Sequence, residues 1–227
     1  MELYIARHGT TEWNRKHKLQ GRTDTPLDEI GMMMAEESGI NLKKEGITFD
    51  LVYSSPLVRA YETAKRLAPG VEVVKDDRLV ELLFGQMEGE VSDVLLTSTT
   101  SPFRFFKSDP VKYNECAHLF GGESLEDLIR RTGDFMRECV EPHAGTDMKI
   151  LISGHGALNR GLLMHVKGIT DLNAYWGMGL QSNCAITKVD VTLAEDGKTP
   201  KYGTPGPSKI YYEETLRIDP EAMLDQS

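Results

Sequence analysis

Two apolar runs in this chain end the same way, and that repetition constrains the fold more than any other feature. The run from Leu3 breaks into Arg7-His8-Gly9, and Lys149 to Ser153 breaks into Gly154-His155-Gly156-Ala157. A short apolar run bounded by glycine reads as a buried strand. Open parallel sheets bind ligands beyond the carboxyl ends of their strands, so Arg7, His8 and His155 are expected at that edge. The second run precedes an apolar helix from about Leu158 to Val166. Its glycines let the backbone turn tightly, and the free N–H groups at its start, around Gly156 and Ala157, suit an anion. Guanidinium and imidazole at one sheet edge point the same way.

Other segments supply an α/β framework. Thr25 to Asp28 is turn-like, and Ile30 to Lys44 reads as a helix with Met33, Met34, Ser38 and Leu42 near one face. Phe49 to Tyr53 has strand character and ends in Ser54-Ser55-Pro56-Leu57-Val58-Arg59. There Ser55 is expected to cap a helix with Pro56 in its first turn, which puts Arg59 at the same sheet edge as His8. After a strand at Val71 to Val74, Glu81 stands between apolar neighbours, a setting that can keep a carboxyl group protonated. Val91 to Phe120 reads as an irregular insertion, either a lid or a surface excursion. Ser124 to Asp127 looks like a capping box for a helix reaching about Val140, in which Arg130 and Arg131 serve packing and surface pairing. Ala185 to Leu193 and Ile210 to Leu216 read as a long-looped antiparallel pair, and the tail Asp219 to Ser227 as poorly ordered.

Composition limits the partners. With 26 Lys+Arg against 35 Asp+Glu, the formal charge of -9 leaves no general basic surface for nucleic acid. An anionic substrate must therefore be held by a local cluster of Arg and His. Cys116, Cys139 and Cys184 show neither a paired nor a metal-ligand spacing, which suits a reduced, cytoplasmic chain. The start carries no export signal, no apolar stretch approaches membrane-spanning length, and the 227 residues are read as one domain. A homodimer is compatible with the sequence, and no residue decides it.

Four separated blocks carry a resemblance. Arg7-His8-Gly9 continues into Thr10-Thr11-Glu12-Trp13-Asn14 and Gln20-Gly21; SSPLVRAYETA holds Arg59; ELLFGQMEG holds Glu81; and SGHGALNR holds His155. In order and placement they resemble the histidine phosphatase superfamily, the phosphoglycerate mutase-like proteins, from Leu3 to about Leu193. That resemblance implies a three-layer α/β/α sandwich around a mostly parallel sheet, with a cap insertion at about 90–122. It places the proton donor at Glu81 rather than Glu88, sets Arg59 on the phosphoryl group, and brings Asn14, Gln20 and Gly21 near the phosphate. Two positions depart from the pattern: Met87 stands where many relatives have Trp, and Lys18 where many have Arg.

The chemistry follows from the residue types. Neutral imidazole is a nucleophile at physiological pH, so His8 can take the phosphoryl group and divide one displacement into two. Arg7, Arg59 and His155 supply fixed donors for the charge on the equatorial oxygens, and Glu81 protonates the departing alkoxide. The scheme needs no metal and no cofactor. The expected activity is hydrolysis of a small phosphomonoester, since ELLFGQMEG looks more like the phosphatase branch. A phosphoglycerate mutase is the alternative; it needs further cations in the cap, where Arg104, Lys107 and Lys112 are scattered. A catalytically silent phospho-ligand binding domain is disfavoured because His8 and Glu81 are both present.

Overall fold

The run at the start of the chain is buried because it is the inner strand of a sheet covered on both faces. The computed structural model describes residues 1–177 and 179–214. In chain order the elements are β1 (Glu2–Arg7), α1 (Glu12–Arg15), α2 (Glu29–Lys44), β2 (Leu51–Ser54), α3 (Val58–Leu67), β3 (Val73–Lys75), α4 (Ser92–Thr97), α5 (Phe105–Ser108) and α6 (Pro110–Cys116). There follow α7 (Leu125–Phe135), β4 (Lys149–Gly154), α8 (Gly156–Lys167), β5 (Ile186–Leu193) and β6 (Pro200–Tyr202). The strands lie in the order β3-β2-β4-β1-β5-β6. The first four in that order run parallel, and β5 and β6 are antiparallel additions.

Alternation along β1 builds the two cores. Leu3 and Ile5 join Ile150, Ile152, Phe135, Leu158 and Leu162 beneath α7 and α8. Tyr4 and Ala6 join Val52, Leu151, Met34, Leu42 and Leu67 beneath α2 and α3. This is a three-layer α/β/α sandwich with a mostly parallel sheet, as expected.

Several local expectations change. Helix α2 begins at Glu29, where the Asp28 carboxylate accepts the Gly31 N–H at 2.7 Å. Met34, Ser38 and Leu42 are buried as expected, but Met33 is 54 % exposed. The Ser55 hydroxyl accepts the N–H of Leu57, just before α3, at 3.3 Å rather than one inside the helix, and Pro56 precedes that helix. The Ser55 N–H is tied to Ser153 of the sheet, and the first helical N–H, at Val58, is instead accepted by Asp24 at 2.7 Å. That cap lies 34 residues away, beyond any local pattern. At α7 the Ser124 hydroxyl accepts the Asp127 N–H, while the Asp127 carboxylate returns to that hydroxyl rather than to the backbone. Helix α8 starts at Gly156, two residues before the expected Leu158, and α7 runs on to Val140 as a π-helical stretch.

The insertion is not irregular. Its helices α5 and α6, with 3-10 turns at Pro102–Arg104 and Ala117–Phe120, bury Phe103, Phe106, Tyr113 and Phe120 in a third apolar cluster with Leu82, Phe84 and Tyr175. Helices of four to seven residues are too short for a periodic signal, so the aromatics alone marked this packing. The partner of β5 is also corrected. Val191 pairs with Tyr202 of β6, inside the Pro/Gly-rich stretch expected to be loop. Lys209 makes a single bridge to Ile186, 210–214 form no strand, and 215–216 and the tail lie outside the described residues. Asp196 accepts the N–H groups of Lys198 and Thr199 and turns the hairpin, and Pro200 is tolerated because β6 is an edge strand.

Candidate active site

Strand register brings the two histidines together. Arg7 of β1 lies opposite Gly154 of β4, so the next residues, His8 and His155, leave adjacent strand ends. Their ring centroids are 5.2 Å apart. Gly9 allows the loop after β1 to cross the start of α2, since a Cβ there would stand 2.5 Å from the Gly31 carbonyl oxygen. The His8 Nδ1 lies 2.6 Å from the Gly9 carbonyl oxygen, which can only accept. The proton of neutral His8 therefore sits on Nδ1, and the lone pair is on Nε2. Asn183 fixes this loop by donating to the carbonyls of His8 and Gly9 at 3.1 and 3.2 Å.

Burial, then the charges of Arg59 and Arg7, hold the His8 imidazole well below its ordinary value of 6.5. Burial, Arg59 and His8 do the same to His155. Both rings are neutral at pH 7. An unfolded chain binds more protons than the folded one as pH drops below 6.5, so the stability tied to this pair is present above that pH and lost on acidification. Thermal unfolding between about pH 7.5 and about pH 5 is expected to give a Tm that falls with pH, less steeply in His155→Asn. An unchanged slope in the variant would exclude the pair as its source.

Arg59, expected near the sheet edge on the side of His8, is completely buried there, and its charge acts on the His8 ring. It donates to the carbonyls of Gly21 at 2.6 Å and Thr23 at 3.0 Å. With the Gln20 amide oriented to satisfy its neighbours, Arg59 Nε also donates to it at 2.8 Å. Burial pulls this guanidinium down to about 10, against the opposing pull of Glu81, so it stays cationic at pH 7. Arg59 thus organises loop 20–23 while keeping its charge behind His8. Glu88 serves the same loop, accepting the N–H groups of Arg22 at 2.9 Å and Thr23 at 2.8 Å. Arg7 donates to the Gln181 carbonyl at 2.6 Å, but its buried Nε has no partner among the described residues. Neither ring nitrogen of His155 has one.

Glu81 is 5 % exposed, and its carboxylate does not face the apolar neighbours that its sequence suggested. It sits on the first turn of α8. Oε1 accepts the N–H groups of Leu82 and Leu158, each at 2.8 Å, and Oε2 accepts that of Ala157 at 3.0 Å. Ala157 was expected to offer its N–H to an external anion; that donor is taken by Glu81. A carboxylate has about four lone-pair sites, so the one left open is on Oε2. The Glu81 carbonyl is braced by Arg22 and Arg131, both at 3.3 Å, and both arginines also pair with Glu123. Arg130 pairs with Asp127 at the surface, as expected, whereas Arg131 does more than pack.

A cavity of about 170 Å³ opens between the sheet edge and the cap. Arg7, His8, Asn14, Gln20, Glu81, Gly156 and Ala157 line it. Gly21, Arg59 and His155 are not among its lining residues. Gly21 is required because a Cβ would fall 2.1 Å from Glu88 Oε1. The opposite wall includes Leu96, Phe106, Lys107, Trp176 and Leu180, which sequence reasoning did not assign. The Phe103–Lys107 cluster was their one visible signal.

Comparison with known proteins gives the same picture. The family model of the histidine phosphatase superfamily (branch 1) matches residues 3–199. A probable phosphoglycerate mutase GpmB of Yersinia pestis (strain Pestoides F) is 34% identical over 192 residues, covering 84% of this chain and 85% of that protein. Among solved structures, a mycobacterial glucosyl-3-phosphoglycerate phosphatase complexed with VO3 superposes with a TM-score of 0.76 at 27% identity, covering 89% of this chain and 96% of the other. Bacillus stearothermophilus YhfR does so with a TM-score of 0.72 at 29% identity, covering 88% and 93%. The family match, the sheet order and the paired histidines agree: this chain belongs to the histidine phosphatase superfamily, branch 1.

Proposed function

We propose that this protein is a phosphomonoester hydrolase working through a phosphohistidine on His8. The observation that carries the reading is the His8 Nε2 lone pair, presented to a cavity beside Arg7 by the Nδ1 bond to Gly9. Nε2 attacks phosphorus, and the bond to the ester oxygen breaks. Glu81 carries a proton on Oε2 into this step and gives it to the departing alkoxide; it then takes one from the attacking water, whose oxygen bonds to phosphorus as the Nε2–P bond breaks, releasing inorganic phosphate and restoring neutral His8. Arg7 and Asn14 on the wall supply donors for the equatorial oxygens, Arg59 adds its charge, and the unpartnered His155 ring adds one N–H.

Hydrolysis is favoured over mutase chemistry by the cap cations. Arg104 is engaged by the carbonyls of Thr99 and Ser101 and lies over Phe105. Lys112 pairs with Asp109 at 3.0 Å. Of the three, only Lys107 lines the cavity, in company with Asp93. A mutase has to grip a substrate that carries both a carboxylate and a second phosphate, which calls for more. In this reading the cap packs on the core as part of one domain, through Leu82, Phe84 and Ala157. The three free cysteines support a reducing, cytoplasmic setting, and no described helix is long and apolar enough to cross a membrane.

The test is phosphate release over a panel of phosphorylated metabolites, with His8→Ala as blank. Because the charges that stabilise the transition state are side chains, activity is expected to survive dialysis against EDTA; loss on chelation with recovery on adding magnesium or zinc would defeat the scheme. Gly156→Ala probes the phosphoryl position. A Cβ there would lie 3.7 Å from both Arg7 Cζ and Glu81 Oε2, in ordinary contact but between the two. Stability is expected to change by less than about 1 kcal/mol at this helical position. The KM is expected to rise about tenfold, through roughly 1.4 kcal/mol of lost binding, and an unchanged KM would place the phosphoryl group elsewhere.

A further inference from the structure

We infer that the alcohol half of the substrate is apolar, an aryl or medium-chain alkyl group without a second anionic charge. The inference rests on the hydrolase reading and adds a substrate class to it. Opposite the polar edge, the cavity is walled by Phe84, Leu96, Phe103, Phe106, Trp176 and Leu180. These groups come from three regions of the chain, the segment after Glu81, the cap and the loop after α8, so the apolar wall is assembled rather than local.

The wall is also held in place. Phe103 stacks on Phe106 with centroids 4.8 Å apart, and Phe84 meets Phe106 edge-on at 5.3 Å. Trp176 meets Phe106 at 4.8 Å and donates its indole N–H to the Phe106 carbonyl at 2.5 Å. Rings locked against one another do not turn aside to admit a hydrated group. A carboxylate or second phosphate pressed against these rings would lose its water for no hydrogen bond from them, and the cations on the lining, Arg7, Lys18 and Lys107, share it with the carboxylates Glu81 and Asp93. An apolar group loses nothing by entering, and its burial strengthens binding in proportion to area.

The experiment is a kcat/KM series on the purified full chain with ethyl, butyl, hexyl and phenyl phosphate, alongside 3-phosphoglycerate and phosphoserine. Along the alkyl series kcat/KM is expected to rise by up to about fourfold per buried methylene. 3-Phosphoglycerate is expected to fall below butyl phosphate. Leu96, half-buried on α4, is the site for a reversal, because Leu96→Lys adds a cation at the cavity without removing a core residue. The variant is expected to raise the ratio of 3-phosphoglycerate to hexyl phosphate turnover about tenfold or more, through roughly 1.4 kcal/mol of differential binding. A flat alkyl series, or a preference for 3-phosphoglycerate in the unsubstituted protein, would overturn the inference while His8-dependent phosphate release left the hydrolase reading standing. Absence of His8-dependent release from every ester would overturn both.

Discussion

Replacement of His8 by alanine is expected to lower turnover by about four orders of magnitude or more, the scale seen when a covalent nucleophile is removed. The reason is geometric: Nδ1 is committed to the Gly9 carbonyl, so Nε2 is the nitrogen that can attack. In the intact protein, a rapid quench after mixing with labelled substrate is expected to leave label on His8 that is stable to base and labile to acid. His8 is on the cavity lining and His155 is not, so His155 is not expected to take over the attack. Activity persisting in His8→Ala, with no labelled protein under single-turnover conditions, would eliminate the phosphohistidine route.

The second large effect is expected at Glu81, and it depends on the leaving group. p-Nitrophenolate departs as an anion, whereas an alkoxide has to be protonated as its bond breaks. General acid catalysis contributes roughly 10²–10⁴-fold, and Glu81→Gln is expected to slow phosphoenzyme formation from alkyl phosphates by that order while sparing p-nitrophenyl phosphate. The burst phase must be compared, since hydrolysis of the phosphohistidine also uses Glu81 as a base. The structure adds a cost that is independent of the leaving group. A glutamine amide has one acceptor oxygen, so at least one of the N–H groups of Leu82, Ala157 and Leu158 would lose its partner. Leaving a buried donor unpaired costs about 1–3 kcal/mol, which thermal unfolding would register. Equal burst-phase losses for both leaving groups would reduce Glu81 to a cap for α8. Glu88 is no substitute donor, because it is bound to loop 21–23, and Glu12 is exposed on α1 and paired with Lys16.

What was legible in the sequence was whatever is encoded locally. The apolar runs before His8 and His155 marked two parallel strands, because a strand buried on both faces is uniformly apolar. The blocks around Arg7, Arg59, Glu81 and His155 identified the family, and Arg7, His8 and Glu81 do line one cavity. Local pattern misled where the partner of a group lies far along the chain. Ser55 looked like the cap of α3, and Asp24 accepts its first N–H; Ala157 looked like an open anion donor, and Glu81 occupies it across 76 residues; Arg59 looked free for a phosphoryl group, and it already donates to the carbonyls of Gly21 and Thr23.

By itself the sequence determined the alternation of strands and helices and the sheet edge where Arg7, His8 and His155 meet, because periodicity and glycine breaks act over a few positions; the layered architecture came with the family resemblance of its blocks. Only the tertiary structure decided which nitrogen of His8 is free, which oxygen of Glu81 is open, that Arg131 braces Glu81, and that the opposite wall of the cavity is aromatic. Each of those depends on contacts between segments tens of residues apart, whose meeting is set by β1–β4 register and by the packing of the cap, and neither leaves a mark on any single stretch of the chain.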